Sequence, residues 1–285
     1  MGDNKLSRRK RLFTIILKVL MVLSILITVA LILWMIIFVL FKGLKDISWH
    51  FIVSKPSYIN ESIGIWPNIV NTIYIVFTTI IVVIPAGTAA AIYLNEYGKN
   101  KKLIKIIEYA SETLSAIPSI IYGLVGMLIF SNNIGTSILA GCLTLVIMNL
   151  PTVMRTVQES LKTVPNSYRE GAYALSAGKF RMITTVVIPG CIDGIVTSCI
   201  LAIGRIISES AALIYTAGIS NACKNYFSGL FSSGASLTVA LYVYAKEQGE
   251  IQVGYQIAAI LMILTFIINI LTVKIASKLK KRRLS

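Results

Sequence analysis

Acidic residues, histidine and paired cysteines are scarce in this sequence, and each scarcity removes a class of function. The one histidine, His50, and four cysteines without a CxxC pair (Cys142, Cys191, Cys199 and Cys223) indicate neither a zinc site nor a disulfide framework. No metal and no cofactor is expected. No GxxxxGK[ST] phosphate loop occurs, because Gly178-Lys179 is followed by Phe180 and has no upstream glycine. The chain is therefore not expected to be an ATP-hydrolysing enzyme. Asp and Glu number 12 against 27 Lys and Arg, a formal net charge of +15. The basic residues sit in clusters between apolar runs rather than over one soluble face, which argues against nucleic acid as the partner.

The apolar runs are what the sequence has in abundance. Hydrophobic residues make up 56% of the chain, mean hydropathy is +0.79, and several runs reach the roughly 20 residues that a bilayer-crossing helix needs. Long unbroken runs point to an all-α membrane protein rather than a barrel of short alternating strands. The first run, Leu12 to Phe41, far exceeds the roughly 7–15-residue core of a cleaved signal. Six transmembrane helices are expected at about 12–42, 67–94, 110–131, 134–157, 190–216 and 254–276. Basic residues set the orientation. With a cytoplasmic N-terminus, the outer segments carry only Lys42, Lys45, Lys55, Lys224 and Lys246, and Arg205 lies inside a helix. All other Lys and Arg residues then fall inside, as do both termini. The chain divides into an N-terminal helix and outer loop (1–66), a five-helix core (67–276) with an inner loop at 155–189, and a basic tail (277–285).

Polar residues inside the runs mark candidate function. Trp49, His50, Phe51, Tyr58 and Trp66 in the first outer loop read as interfacial anchors. Pro85 is expected to kink the second helix, which opens with Asn68, Asn71 and Thr72. In the third helix Glu108, Glu112, Ser115, Ser119, Tyr122 and Gly126 recur at helical spacing, with Pro118 bending it midway. That stripe is either a pathway lining or an interhelical contact. On the fifth helix Ser198, Ala202, Arg205, Glu209 and Ala212 share a face. A charge at mid-bilayer costs at least about 2.5–3.5 kcal/mol, so Arg205 and Glu209 are expected to face the interior. They form either an i, i+4 ion pair or a binding group. The guanidinium fork suits phosphate or carboxylate, which points to an anionic solute.

One charged stretch, Arg155 to Pro189, interrupts the apolar pattern. Pro165-Asn166 should end the fourth helix, and Ser167 to Glu170 fits a capping box that starts a short new one. Gly171, Ala172, Ala174, Ala177 and Gly178 would let another surface approach closely. Phe180, Ile183 and Val187 are expected on one face, before Pro189 opens the fifth helix.

Glu170-Gly171-Ala172, three residues, Ser176, nine residues and Val186-Val187-Ile188-Pro189 resemble the cytoplasmic loop of binding-protein-dependent ABC transporter permeases. The family pattern there is Glu-Ala-Ala, three residues, Gly, nine residues, Ile-x-Leu-Pro; Gly171 and Ser176 depart from it. The resemblance implies a type I ABC importer permease fold with cytoplasmic coupling helices. It places Glu170, Gly171, Ala172, Ser176, Gly178 and Pro189 at the contact with an ATPase subunit, which would hydrolyse the ATP. Leu201 to Gly218, Ala116 to Gly126 and Ala90 to Gly98 are similar to the A-type permeases of phosphate-specific systems. Ser208 and Ser210 replace the Gly and Thr of their Gly-Arg-x-x-Gly-Glu-Thr pattern. That similarity implies phosphate import across a prokaryotic plasma membrane, with Arg205, Glu209, Ser115, Ser119 and Tyr122 lining the pathway. Its implied partners, besides the lipid bilayer, are a sister permease in a heterodimer, an ATPase dimer and an extracytoplasmic phosphate-binding protein. The outer loop from Ala217 to Gly254 is long enough to meet that binding protein, or it lies on the membrane as an amphipathic segment. Two other readings stand beside this one: an ABC permease for a different anionic solute, and a partner-independent channel or secondary transporter. The coupling loop argues against the last, as does the lack of apparent inverted repeats.

Overall fold

The computed structural model describes residues 3–56, 63–222 and 224–284, with side chains in the terminal helices from Lys10 to Lys274. Tyr58, Cys223 and the side chains before Lys10 and after Lys274 lie outside the described residues. No strand occurs among the described residues. Helix α1 (Asp3–Leu44) and a short α2 (Trp49–Val53) precede α3 (Trp66–Ile92), which continues as a π-helical turn to Tyr97. Next come α4 (Lys101–Ala116), α5 (Ser119–Ile134) and α6 (Ile138–Thr163). The inner loop holds α7 (Asn166–Ala174) and leads through α8 (Lys179–Gly190) into α9 (Ile192–Ser208). The chain ends with α10 (Ala211–Thr216), α11 (Tyr226–Leu230), α12 (Leu237–Tyr242) and α13 (Ile251–Leu284). Four helices are long and apolar enough to cross a membrane, or up to six if each of two bent pairs counts as one span.

The core lies between α3, α6 and α9, where Ile75, Val83, Ala91, Leu145, Met148, Val157, Ile206 and Ile207 are all but inaccessible. Pro85 and Pro151 stay within their helices. Close packing holds them there: a Cβ on Gly87 would sit 2.6 Å from Val153 Cγ1, so the two helices nearly touch beside both prolines. Helix α1 has a span of 35 residues and contacts mainly α13. Its outer end is pinned there. Gln252 donates to Lys42 O (3.2 Å) and Gln256 to Asp46 O (3.0 Å), while Lys42 Nζ lies 4.9 Å from the Phe38 ring centroid. The helix expected to end near 276 runs on to Leu284.

Two expected helices are broken. Lys101–Ala116 and Ser119–Ile134 meet at 98°, because Ile117 (ψ 133°) and Pro118 (ψ 139°) are extended. Proline disfavours helical backbone in the residue before it, and the chain turns there rather than bending. The fifth helix bends by 64° between α8 and α9, and it stops again at Glu209 (φ −80°, ψ 122°). Ser208, Glu209 and Ser210 are residues whose side chains compete for backbone hydrogen bonds, which favours such a stop.

Part of the outer loop, around Ala235 to Ala240, is built into the core, whereas Phe227 and Phe231 are exposed. Asn68 Nδ2 donates to Asn221 Oδ1 (2.9 Å) and Ala235 O (3.2 Å), and Asn71 Nδ2 to Ala222 O (3.1 Å). Thr72 Oγ1 accepts from Leu237 N at 2.8 Å. Irregular backbone at membrane depth persists only where such partners satisfy it, and Leu237, Val239 and Ala240 are buried as a result.

Candidate functional site

Arg205 sits near the end of α9, half-buried, and its Nη1 donates to Thr152 Oγ1 of α6 at 3.1 Å. Of the two readings for Arg205, the i, i+4 ion pair with Glu209 does not form: among the described residues no carboxylate lies within ion-pair distance of Arg205. Glu209 has left the helix. Its Oε1 accepts from Ala212 N at 3.0 Å, capping α10, and its backbone oxygen accepts from Thr238 Oγ1 at 2.9 Å. The guanidinium lies on an open side of α9 with Leu201 and Ser208, both exposed, and Gly204, where an added Cβ would meet nothing within 4 Å.

Tyr122 is buried on α5, and its hydroxyl donates to Leu114 O at 2.8 Å. That bond ties α5 back to the last turn of α4 across the 98° break. Gly123 sets the position of Tyr122: a Cβ there would lie 2.8 Å from Ala212 Cα, so α5 and α10 meet backbone to backbone. Ser119 is half-buried on the same side of the break. Ser115 is on the other side, bonding Glu112 O at 2.8 Å. The expected continuous stripe is thus split. Ser119, Tyr122 and Gly126 stay on the span, whereas Glu108 and Glu112 face the inner end of α6. There Glu112 pairs with Arg155 (3.4 Å) and Glu108 with Lys162 (3.6 Å), and Gln158 Nε2 donates to Glu108 at 2.7 Å, around a cleft of ≈ 310 Å³.

The inner loop is a rigid projection. Helix α7 begins behind Pro165, whose fixed φ suits a helix start, and no side chain caps it. The expected Ser167–Glu170 capping box is absent, and both residues are exposed. Arg169 anchors the loop instead. Its Nη2 lies 2.9 Å from Glu96 Oε1 with side-chain exposures of 14% and 7%, and it donates to Val164 O (2.7 Å) and Leu161 O (3.1 Å). Those carbonyls close α6, where a cation also complements the helix dipole. Neither Glu96 nor Arg169 stands out by charge pattern, since the two are far apart in sequence.

After α7, Ser176 adopts φ 60°, the left-handed conformation; this is the position where the family pattern has glycine. Ala172 is buried beneath the loop, whereas an added Cβ on Gly171 or Gly178 would meet nothing within 4 Å. Pro189 lies in the last turn of α8. Phe180 does not share a face with Ile183 and Val187: it is exposed and they are buried, because the π-helical turn Ile183–Val187 changes the period. The projection exposes Tyr168, Tyr173, Leu175 and Phe180, with Leu175 at 85%.

A probable ABC transporter permease of Bacillus subtilis, YqgI, is 35% identical over 191 residues, covering 66% of this chain and 65% of that one. A phosphate transport system permease protein PstA of Pasteurella multocida is 28% identical over 242 residues, covering 83% of this chain and 85% of that protein. A PstA homolog of Mycoplasma pneumoniae is 38% identical, and the chain spans 28% of its length. Among solved structures, a bacterial alginate ABC transporter in complex with an alginate-bound periplasmic protein matches with TM-score 0.66 and 14% identity, covering 94% of each chain. The MetNI methionine ABC transporter in an inward-facing conformation matches with TM-score 0.57 and 20% identity, covering 75% of this chain and 94% of that one. The fold is thus that of type I ABC importer permeases. Residues 83–281 match the family of the binding-protein-dependent transport system inner membrane component, and the chain belongs to that family.

Proposed function

We propose that the chain is the permease subunit of an ATP-driven importer of inorganic phosphate and forms half of the translocation pathway. The observation that carries this reading is Arg205, an arginine with no carboxylate partner among the described residues, held by Thr152 on an open side of α9. A guanidinium donates in a plane to two oxygens of an oxyanion. The phosphate permeases among its relatives support phosphate as that anion. Ser119 and Tyr122 border the same pathway, a sister permease supplies the other half, and an extracytoplasmic phosphate-binding protein delivers the solute. Both termini and the α7 projection lie in the cytoplasm, where an ATPase dimer docks on α7 and α8.

The test is uptake of labelled phosphate at low external concentration in cells lacking the chain. A specific loss, restored by the intact gene, is expected. Unchanged phosphate uptake with lost uptake of another anion would assign the pathway to that anion instead.

A further inference from the structure

Helix α4 is the element that the transport reading leaves unused. It has no buried residue, although it follows α3, which is long and apolar enough to cross a membrane, and forms a bent pair with the apolar α5. It begins three residues after the π-helical turn that ends α3 at Tyr97, and two residues separate its end from α5. Both ends are thereby held at the membrane boundary. With α5 crossing the membrane, the 98° angle would lay α4 along its surface rather than across it.

Its two sides differ in chemistry. Toward α6 it presents Glu108 and Glu112, already engaged by Lys162 and Arg155. It also exposes Leu103, Ile106 and Leu114, spaced one or two turns apart, with Ile106 67% accessible. Lys99, Lys101, Lys102 and Lys105 are exposed at its start. An amphipathic helix in the plane of the interface, with apolar residues on one face and lysines beside them, is the form that binds anionic lipid.

We infer that α4 is an interfacial helix whose Leu103–Ile106–Leu114 ridge enters the cytoplasmic leaflet and whose lysines bind anionic headgroups there. The occupant is lipid rather than protein because the ridge adjoins a candidate span and the exposed charge at the start of the helix, from Lys99 to Lys105, is basic. The inference rests on the proposed orientation only for which leaflet is involved.

The test places a nitroxide label at Ile106→Cys, with Thr163→Cys as an aqueous reference and the unmutated chain as labelling blank. The full chain is measured in nanodiscs of phosphatidylglycerol with phosphatidylcholine, and of phosphatidylcholine alone. With phosphatidylglycerol, the label at position 106 should meet dissolved oxygen more often than an aqueous nickel chelate, the reverse of position 163. That preference should fall without phosphatidylglycerol and in the Lys101→Gln, Lys102→Gln, Lys105→Gln variant. A label at 106 that behaves as at 163 in both lipids would overturn the inference, as would one reached by neither reagent, which would give the ridge to a protein partner. An impermeant maleimide applied outside intact cells should leave Thr163→Cys unmodified; modification there would overturn the orientation and move the helix to the other leaflet.

Discussion

Arg169 Nη2 lies 2.9 Å from Glu96 Oε1, joining the first turn of α7 to the end of a span 73 residues earlier in the chain. The same guanidinium also closes the last carbonyls of α6. Removing one partner of a buried ion pair costs about 3–5 kcal/mol. Arg169→Ala should therefore loosen the projection and abolish uptake, with faster proteolysis between residues 164 and 179. The exchange Glu96→Arg with Arg169→Glu should not rescue it, since a carboxylate cannot donate to Leu161 and Val164. Full rescue would mean that charge pairing alone holds the loop.

Ser176 keeps a left-handed backbone without being glycine. That conformation costs an L-residue about 1–2 kcal/mol. Ser176→Gly should make the loop more resistant to protease, and Ser176→Val should weaken it and reduce recovery of the ATPase on co-purification.

For Arg205, the expected outcome of Arg205→Ala is loss of uptake with normal abundance in the membrane. Thr152→Val removes one hydrogen bond, about 1 kcal/mol, and should reduce uptake only several-fold. Wild-type uptake by Arg205→Ala would reduce the arginine to a structural role.

Glu209 acts as a cap, so an acceptor oxygen matters more than a charge. Glu209→Gln should retain most uptake and Glu209→Ala should lose both uptake and stability, by about 0.5–2 kcal/mol for a lost cap. Equal failure of both would indicate that the charge itself is needed.

Gly123 and Gly171 should respond oppositely to alanine. At Gly123 the new Cβ meets Ala212 backbone at 2.8 Å, and measured abundance should drop. At Gly171 nothing lies within 4 Å, and alanine favours a helix by up to about 1 kcal/mol. A loss of ATPase binding in Gly171→Ala with normal abundance would place a partner's surface against that position.

The spans were legible because apolar length is a local property, and α1, α3, α6 and α13 fall where their runs do. The breaks were less so. Pro85, Pro118 and Pro151 look alike in sequence, yet only Pro118 separates two helices, since the other two are clamped between α3 and α6 at Gly87 and Val153. The Glu209 break carries its signal in two flanking serines, which an intact apolar periodicity conceals. Arg205 was visible as a charge in an apolar run. Its partner was not, because Thr152 approaches from a different helix, and the Glu96–Arg169 pair is likewise formed only by tertiary packing.

The amides of Asn68 and Asn71 join the start of α3 to the backbone on both sides of the outer loop. Thr238 carries the same linkage onward to Glu209. The outer third of the molecule is therefore welded into one piece. Relative displacement between helices has to be taken up at the inner joints, the turn at Ile117–Pro118 and the 64° bend before Ile192. On the proposed reading, the outer half would be the fixed jaw and the inner half the part that a docked ATPase swings.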